Sequence, residues 1–143
     1  MLNSRTKANG FPSPEAIEAM TTLNREAALA AGVRAATDVT GFGLLGHLYK
    51  LARASGVSAV VDAAAVPYLP GAREALAAGH VSGGTRRNLD WVRPNLTSAV
   101  DEDELLLLAD AHTSGGLLVV GEVPGAPVVG ELVPAAEHVL RVR

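Results

Sequence analysis

Residues 38–47 read DVTGFGLLGH. An acid and a hydroxyl open the stretch, three glycines punctuate it and a histidine closes it. It is too rich in glycine for an ordinary helix and too apolar for an ordinary exposed loop. The residues before it, Val33 to Val39, suit a short strand. Those after it, Leu44, Leu45, Leu48, Leu51 and Ala52, recur at helical spacing, with Gly56 as the next stop. The stretch therefore reads as a strand, a glycine turn and a helix start. An acid at a strand end projects into the crevice where α/β sheets commonly bind ligands. Gly41 and Gly43 let backbone approach closely, and a helix start offers unpaired N–H groups to an anion. Mg²⁺ takes one or two carboxylates together with phosphate oxygens and water. Asp38 and the turn could supply the protein's share of such a site. A capping Asp beside two glycines of a tight turn is the alternative reading.

Working outward, Ser13-Pro14-Glu15 predicts a helix start, with a hydroxyl cap, proline at the first position and an acid in the first turn. Ala16, Met20, Leu23, Ala27 and Ala30 form one apolar stripe, and Gly32 is placed to end that helix. Residues 1–12 read as a tail or a severed linker, and 13–143 as one domain. VSAVVD (57–62) predicts a strand, followed by a Pro-bounded loop and an Ala-rich helix ending near Gly79. SGGTRRN (82–88) reads as loop chemistry and VRPNLTSAV (92–100) as irregular. The acids from Asp101 to Glu104 suit a helix N-terminus. HTSGGLLVV turns into a buried strand, and VVGEVPGAPVVGEL reads as two strands in a hairpin around Pro124-Gly125. HVLRV makes a last strand. The expectation is an α+β (mixed α/β) fold of about six strands and four helices. Its strands are expected in one mixed sheet, covered by helices.

The chain has 143 residues, 48% apolar and 19% charged, which is enough for one core and argues against wholesale disorder. Aromatics are 3%, so the core must be built from Ala, Val and Leu. A net charge of −3 without a basic run makes nucleic acid a poor partner. The apolar runs are too short to span a bilayer, and a cytoplasmic location is expected. With no cysteine, disulfides, thiolate zinc sites and a Cys nucleophile are excluded within the chain. His80, His112 and His138 form no ligand spacing, and His47 reads as a structural hydrogen-bonding group. Thr40 could cap the next helix or touch a phosphate. Arg86 and Arg87 could hold phosphate through their fork-shaped donors or pin a loop. Thr113, Ser114, Gly115 and Gly116 make either a tight turn or a backbone nest facing a cleft. Trp91 reads as a partly buried anchor.

The segments MTTLNREAA, ATDVTGFGLLGHLYKLARASGV, VPYLPGA, GGTRRN and LLLLADAHTSGGLLV, in that order, resemble the C-terminal domain of selenophosphate synthetase (selenide, water dikinase). This family lies within the superfamily of aminoimidazole ribonucleotide synthetase. The resemblance covers about Ser13 to Val120, and TDVTGFGLLGH is its most specific part. It implies ATP-dependent conversion of selenide to selenophosphate, with AMP and phosphate released and Mg²⁺ as cofactor. It also implies that Asp38 joins aspartates of an N-terminal domain on Mg²⁺. Thr40, Gly41, Gly43, Arg86, Arg87, Thr113, Ser114, Gly115 and Gly116 would then lie toward ATP. The implied partners are ATP, that N-terminal domain and a homo-oligomer.

Departures accompany the match. The family's catalytic Cys or selenocysteine and its nearby Lys have no counterpart here, so this chain alone is expected to be inactive. Asp110-Ala111-His112 stands where the family commonly has Asp-Pro-Gln. The space from Val120 to Val128 admits a turn where the family usually has a helix. The alternative readings are a non-catalytic nucleotide- or partner-binding domain, or another ATP-using enzyme of the superfamily.

Overall fold

A computed structural model describes residues 14–25, 29 and 32–143. The predicted cap Ser13, and Ala27 and Ala30 of the first apolar stripe, lie outside the described residues. The elements in chain order are α1 (Pro14–Thr21), β1 (Ala35–Asp38), α2 (Gly43–Ala54), β2 (Val57–Val61), α3 (Ala72–Ala77), α4 (Gly83–Val92), β3 (Leu96–Ser98), α5 (Glu102–Leu108), β4 (Leu117–Val120), β5 (Gly130–Pro134) and β6 (Leu140–Val142). The fold is of the mixed α/β kind, with a mixed sheet covered by helices.

That sheet has four strands in the order β3-β6-β2-β5. β6 runs parallel to both β2 and β3, and β5 runs antiparallel to β2. α2 packs on β2, and α4 and α5 pack against α2 and each other. The core lies between them. It is made by Leu45, Leu48, Tyr49 and Ala52 of α2, Leu89 and Val92 of α4, Leu105 and Leu108 of α5, and Leu140 and Val142 of β6. Full burial of a large apolar side chain stabilises by about 2 kcal/mol. Three such residues on α2 outweigh the penalty of Gly43 and Gly46 within it, about 1 kcal/mol each.

Four expectations are corrected. First, β1 and β4 do not join the main sheet. They form a separate antiparallel ribbon, with Asp38 opposite Leu117. β5 instead pairs with β2, where the Val60 carbonyl lies so close to Gly130 that a side chain would collide. Second, Pro124-Gly125 does make a turn, closed by Ala126 N–H to the Val123 carbonyl at 3.0 Å with Gly125 at φ +80. No helix occupies 121–129, yet the flanking strands part to different sheets, so no hairpin forms there. Third, SGGTRRN is a helix start. Ser82 caps α4 by accepting the Thr85 N–H at 3.0 Å. Leu96–Ser98 beyond it is a strand paired with β6. Fourth, α1 stops at Thr21. The hydroxyls of Thr21 and Thr22 bond back to carbonyls of Ile17 and Glu18, and Leu23 is 84% exposed.

The acids do start α5: Asp101 caps it by accepting the Glu104 N–H at 2.9 Å. No helix among the described residues is long and apolar enough to cross a membrane.

Candidate functional site

β1 delivers Asp38 exposed at its end, and the chain then turns through Gly41 and Phe42 into α2. The turn is fixed from three sides. Gly43 has φ +68, and a Cβ on it would lie 2.5 Å from the Ala109 carbonyl group, so α2 starts hard against the end of α5. Asn88 of α4, itself buried, donates through Nδ2 to the carbonyls of Gly41 at 2.9 Å and Ala109 at 3.0 Å. His47, one turn into α2, accepts the Thr40 N–H at Nε2 over 3.1 Å. That bond requires an unprotonated Nε2, so Nδ1 carries the hydrogen facing Thr37 Oγ1 at 3.3 Å. Burial, and then the nearby Lys50 charge, lower the His47 pKa, while Asp38 pulls it the other way. The imidazole is a neutral strut.

Thr40 therefore does not cap α2, whose N-cap is Phe42 without a side-chain bond. Its hydroxyl lies 3.2 Å from His47 Nε2, and its carbonyl accepts N–H groups of Gly43 and His112. Of the turn's amides, Val39, Thr40 and Gly43 are thus engaged. Those of Gly41 and Phe42 make no hydrogen bond among the described residues.

The second wall is the 113–116 bend. Val39 donates its N–H to the Gly116 carbonyl at 2.8 Å, and a Cβ on Gly115 would stand 2.5 Å from the Val39 carbonyl oxygen. Neither Gly115 nor Gly116 has positive φ, so the bend is a close-packed turn. The alternating-handed backbone nest is not formed. His112 beside it is pushed down to about 4 by burial.

The third wall is the segment after α1. Asn24 Nδ2 donates to Asp38 Oδ1 at 2.8 Å and to the Gly115 carbonyl at 3.1 Å. Together the walls enclose a cleft of about 500 Å³ lined by Met20, Thr22, Leu23, Asn24, Arg25, Asp38, Thr40, Ser114 and Gly115. Of the residues singled out in the sequence, the cleft gathers Asp38, Thr40, Ser114 and Gly115. Gly41, Gly43 and Gly116 shape its walls, and Thr113 is exposed beside it. Arg86 and Arg87 lie on the exposed side of α4 and do not line it.

Within GGTRRN it is Thr85 and Asn88 that point inward. Thr85 Oγ1 donates to the buried Asp110 Oδ1 at 2.5 Å, tying α4 to the end of α5. Asn24, Thr85 and Asn88 were not anticipated. Ser82, Thr85 and Asn88 at three-residue spacing carry a legible signal, a cap and one helix face. Asn24 carries none.

A second cleft, about 460 Å³, is lined by Asp62, Arg73, Asp101, Glu104 and Arg143 among others. Its charges serve the fold: Arg73 and the Tyr68 hydroxyl both bond Glu104, and Asp101 caps α5.

The first cleft offers oxygen donors suited to a hard cation: one exposed carboxylate, with Oδ2 free of hydrogen bonds among the described residues, and nearby hydroxyls. No group of three metal-ligating His, Cys, Asp or Glu occurs among the described residues. The donor set fits part of a Mg²⁺ shell, an ion that takes one or two carboxylates together with phosphate oxygens and water.

Residues 2–142 match the family described as AIR synthase related protein, C-terminal domain. The chain is 50% identical over 109 residues to selenide, water dikinase of Bordetella bronchiseptica, covering 74% of this chain and 31% of that protein. It is 41% identical over 126 residues to the selenide, water dikinase of Caldanaerobacter subterraneus, covering 83% and 37%. The match to that of Sulfurimonas denitrificans is 39% over 144 residues, covering 89% and 42%. The chain thus spans between 31% and 42% of the length of these three relatives. It belongs to the C-terminal domain family of AIR synthase related proteins, in the form found in selenide, water dikinases.

Proposed function

We propose that this chain supplies the second-domain half of a Mg²⁺–ATP phosphate site in a selenide, water dikinase. In that reaction selenide, ATP and water give selenophosphate, AMP and phosphate. The observation that carries the reading is Asp38. It is an exposed carboxylate with one oxygen held and the other open to a cleft, where an ordinary capping Asp would spend itself on the backbone. Mg²⁺ bound there would neutralise phosphate charge. The amides of Gly41 and Phe42 and the hydroxyls of Thr40 and Ser114 would orient the phosphate chain. Asp38 alone holds such an ion weakly, so the remaining ligands belong to an N-terminal domain. The chain has no cysteine to handle selenide. It is therefore expected to release no AMP by itself.

The test joins this chain to the N-terminal region of the Bordetella relative and measures selenide-dependent AMP release. Asp38→Asn removes charge but almost no volume, and it should lower turnover by about a hundredfold or more while leaving thermal stability unchanged. Unaltered turnover and Mg²⁺ dependence would return Asp38 to a structural role. Steady AMP release by the 143-residue chain alone would show that the chemistry sits elsewhere.

A further inference from the structure

We infer that Asn24 is the positioning residue for Asp38, fixing which carboxylate oxygen faces the cleft. The inference rests on Asp38 being a metal ligand. An exposed aspartate would otherwise sample several rotamers. Here Asn24 Nδ2 uses both its hydrogens, one on Asp38 Oδ1 at 2.8 Å and one on the Gly115 carbonyl at 3.1 Å. Two acceptors fix the plane of the amide. That plane in turn sets the carboxylate against the Ser114–Gly115 wall and leaves Oδ2 for the cation.

The choice of side chain follows from charge. A lysine there would neutralise Asp38 and repel the incoming ion. An aspartate would repel Asp38 itself. A neutral donor orders the carboxylate and keeps its full charge. Asn24 is fourteen residues from Asp38 and ninety-one from Gly115 in sequence, so it joins the three walls of the cleft. Hydrogen-bonding partners of metal ligands commonly govern affinity through orientation of this kind.

The 143-residue chain is titrated with Mn²⁺, and paramagnetic broadening of its backbone amide resonances reports affinity and position without any turnover. Broadening should centre on residues 38–41 and 114–116 and vanish in Asp38→Asn. Asn24→Ala and the volume-matched Asn24→Leu should each weaken Mn²⁺ binding by about tenfold or more. Amide shifts across β1 and β4 should stay as in the parent. Asn24 variants that bind Mn²⁺ within twofold of the parent, while Asp38→Asn does not bind, would overturn the inference and leave the Asp38 reading standing. Weakened binding with shifts altered throughout β1 and β4 would make Asn24 a structural pin and also overturn it. Absence of any Asp38-centred broadening in the parent would remove both readings together.

Discussion

Asn88→Ala is expected to damage the turn that carries Asp38, whereas Arg86→Ala and Arg87→Ala should leave it whole. The Asn88 side chain is 8% exposed and makes two hydrogen bonds, to the carbonyls of Gly41 and Ala109. Ala109 is fully buried, so its carbonyl would lose that donor with no water to replace it, a loss of about 2 kcal/mol. Gly41 is exposed, and water can replace most of the second bond, leaving a loss of about 0.5 kcal/mol. Alanine's better helix propensity returns about 0.5 kcal/mol. The net destabilisation is about 2 kcal/mol, which for a domain of this size lowers the melting temperature by roughly 6 °C. The two arginines are exposed on α4, and truncating either should change stability by less than about 0.5 kcal/mol. Thermal unfolding followed by circular dichroism checks all three. A melting temperature for Asn88→Ala that matches the arginine variants would refute the view that GGTRRN works through its asparagine.

Gly115→Ala places a methyl group 2.5 Å from the Val39 carbonyl oxygen, so backbone must move; a loss of about 2 kcal/mol in urea unfolding is expected, with faster hydrogen exchange at Val39. Stability should also fall as pH drops from about 6.5 toward 4. His112 has its folded-state pKa lowered to about 4 from 6.5, first of all by burial. The unfolded chain therefore takes up the proton first, and acid favours unfolding across that window. His47, also lowered, acts in the same sense. The slope from His112 is at most about 1.4 kcal/mol per pH unit, and His112→Gln should flatten it between pH 6.5 and 5, as read from urea unfolding at a series of pH values.

The elements with strong local signals were legible in the sequence. The α2 stripe, the acidic start of α5 and the β2 run of branched residues all stand where periodicity and the helix dipole put them. The sheet partition was not legible. β1 is Ala-Ala-Thr-Asp, too weak a pattern to say which strand it pairs with. The choice between one sheet and two rests on close approaches far apart in sequence, such as the Val60 carbonyl against Gly130. The glycines at 83 and 84 give the start of α4 the look of a loop. Ser82 and the inward Thr85, Asn88, Leu89 and Val92 decide otherwise, and their burial is a tertiary fact. The apolar stripe runs on past the end of α1, where the Thr21 and Thr22 hydroxyls compete for its last carbonyls.

The acid, the glycines and the structural role of His47 could be read locally, but the two asparagines that give Asp38 its geometry could not. His47 holds Thr40 from within the same stretch, whereas Asn88 holds Gly41 and Asn24 holds Asp38 itself from other parts of the chain. These holders share one property: His47 is held neutral, and both asparagines are neutral by nature. No described cation forms an ion pair with Asp38. A carboxylate kept for stability gains most from a charged or backbone partner. One ordered by a neutral amide and left open on its other oxygen gains little for the fold, yet it offers a full negative charge at a fixed place. Such an arrangement is suited to a cation that arrives with its own phosphates, and the sequence conceals it because neutral donors carry no pattern of their own.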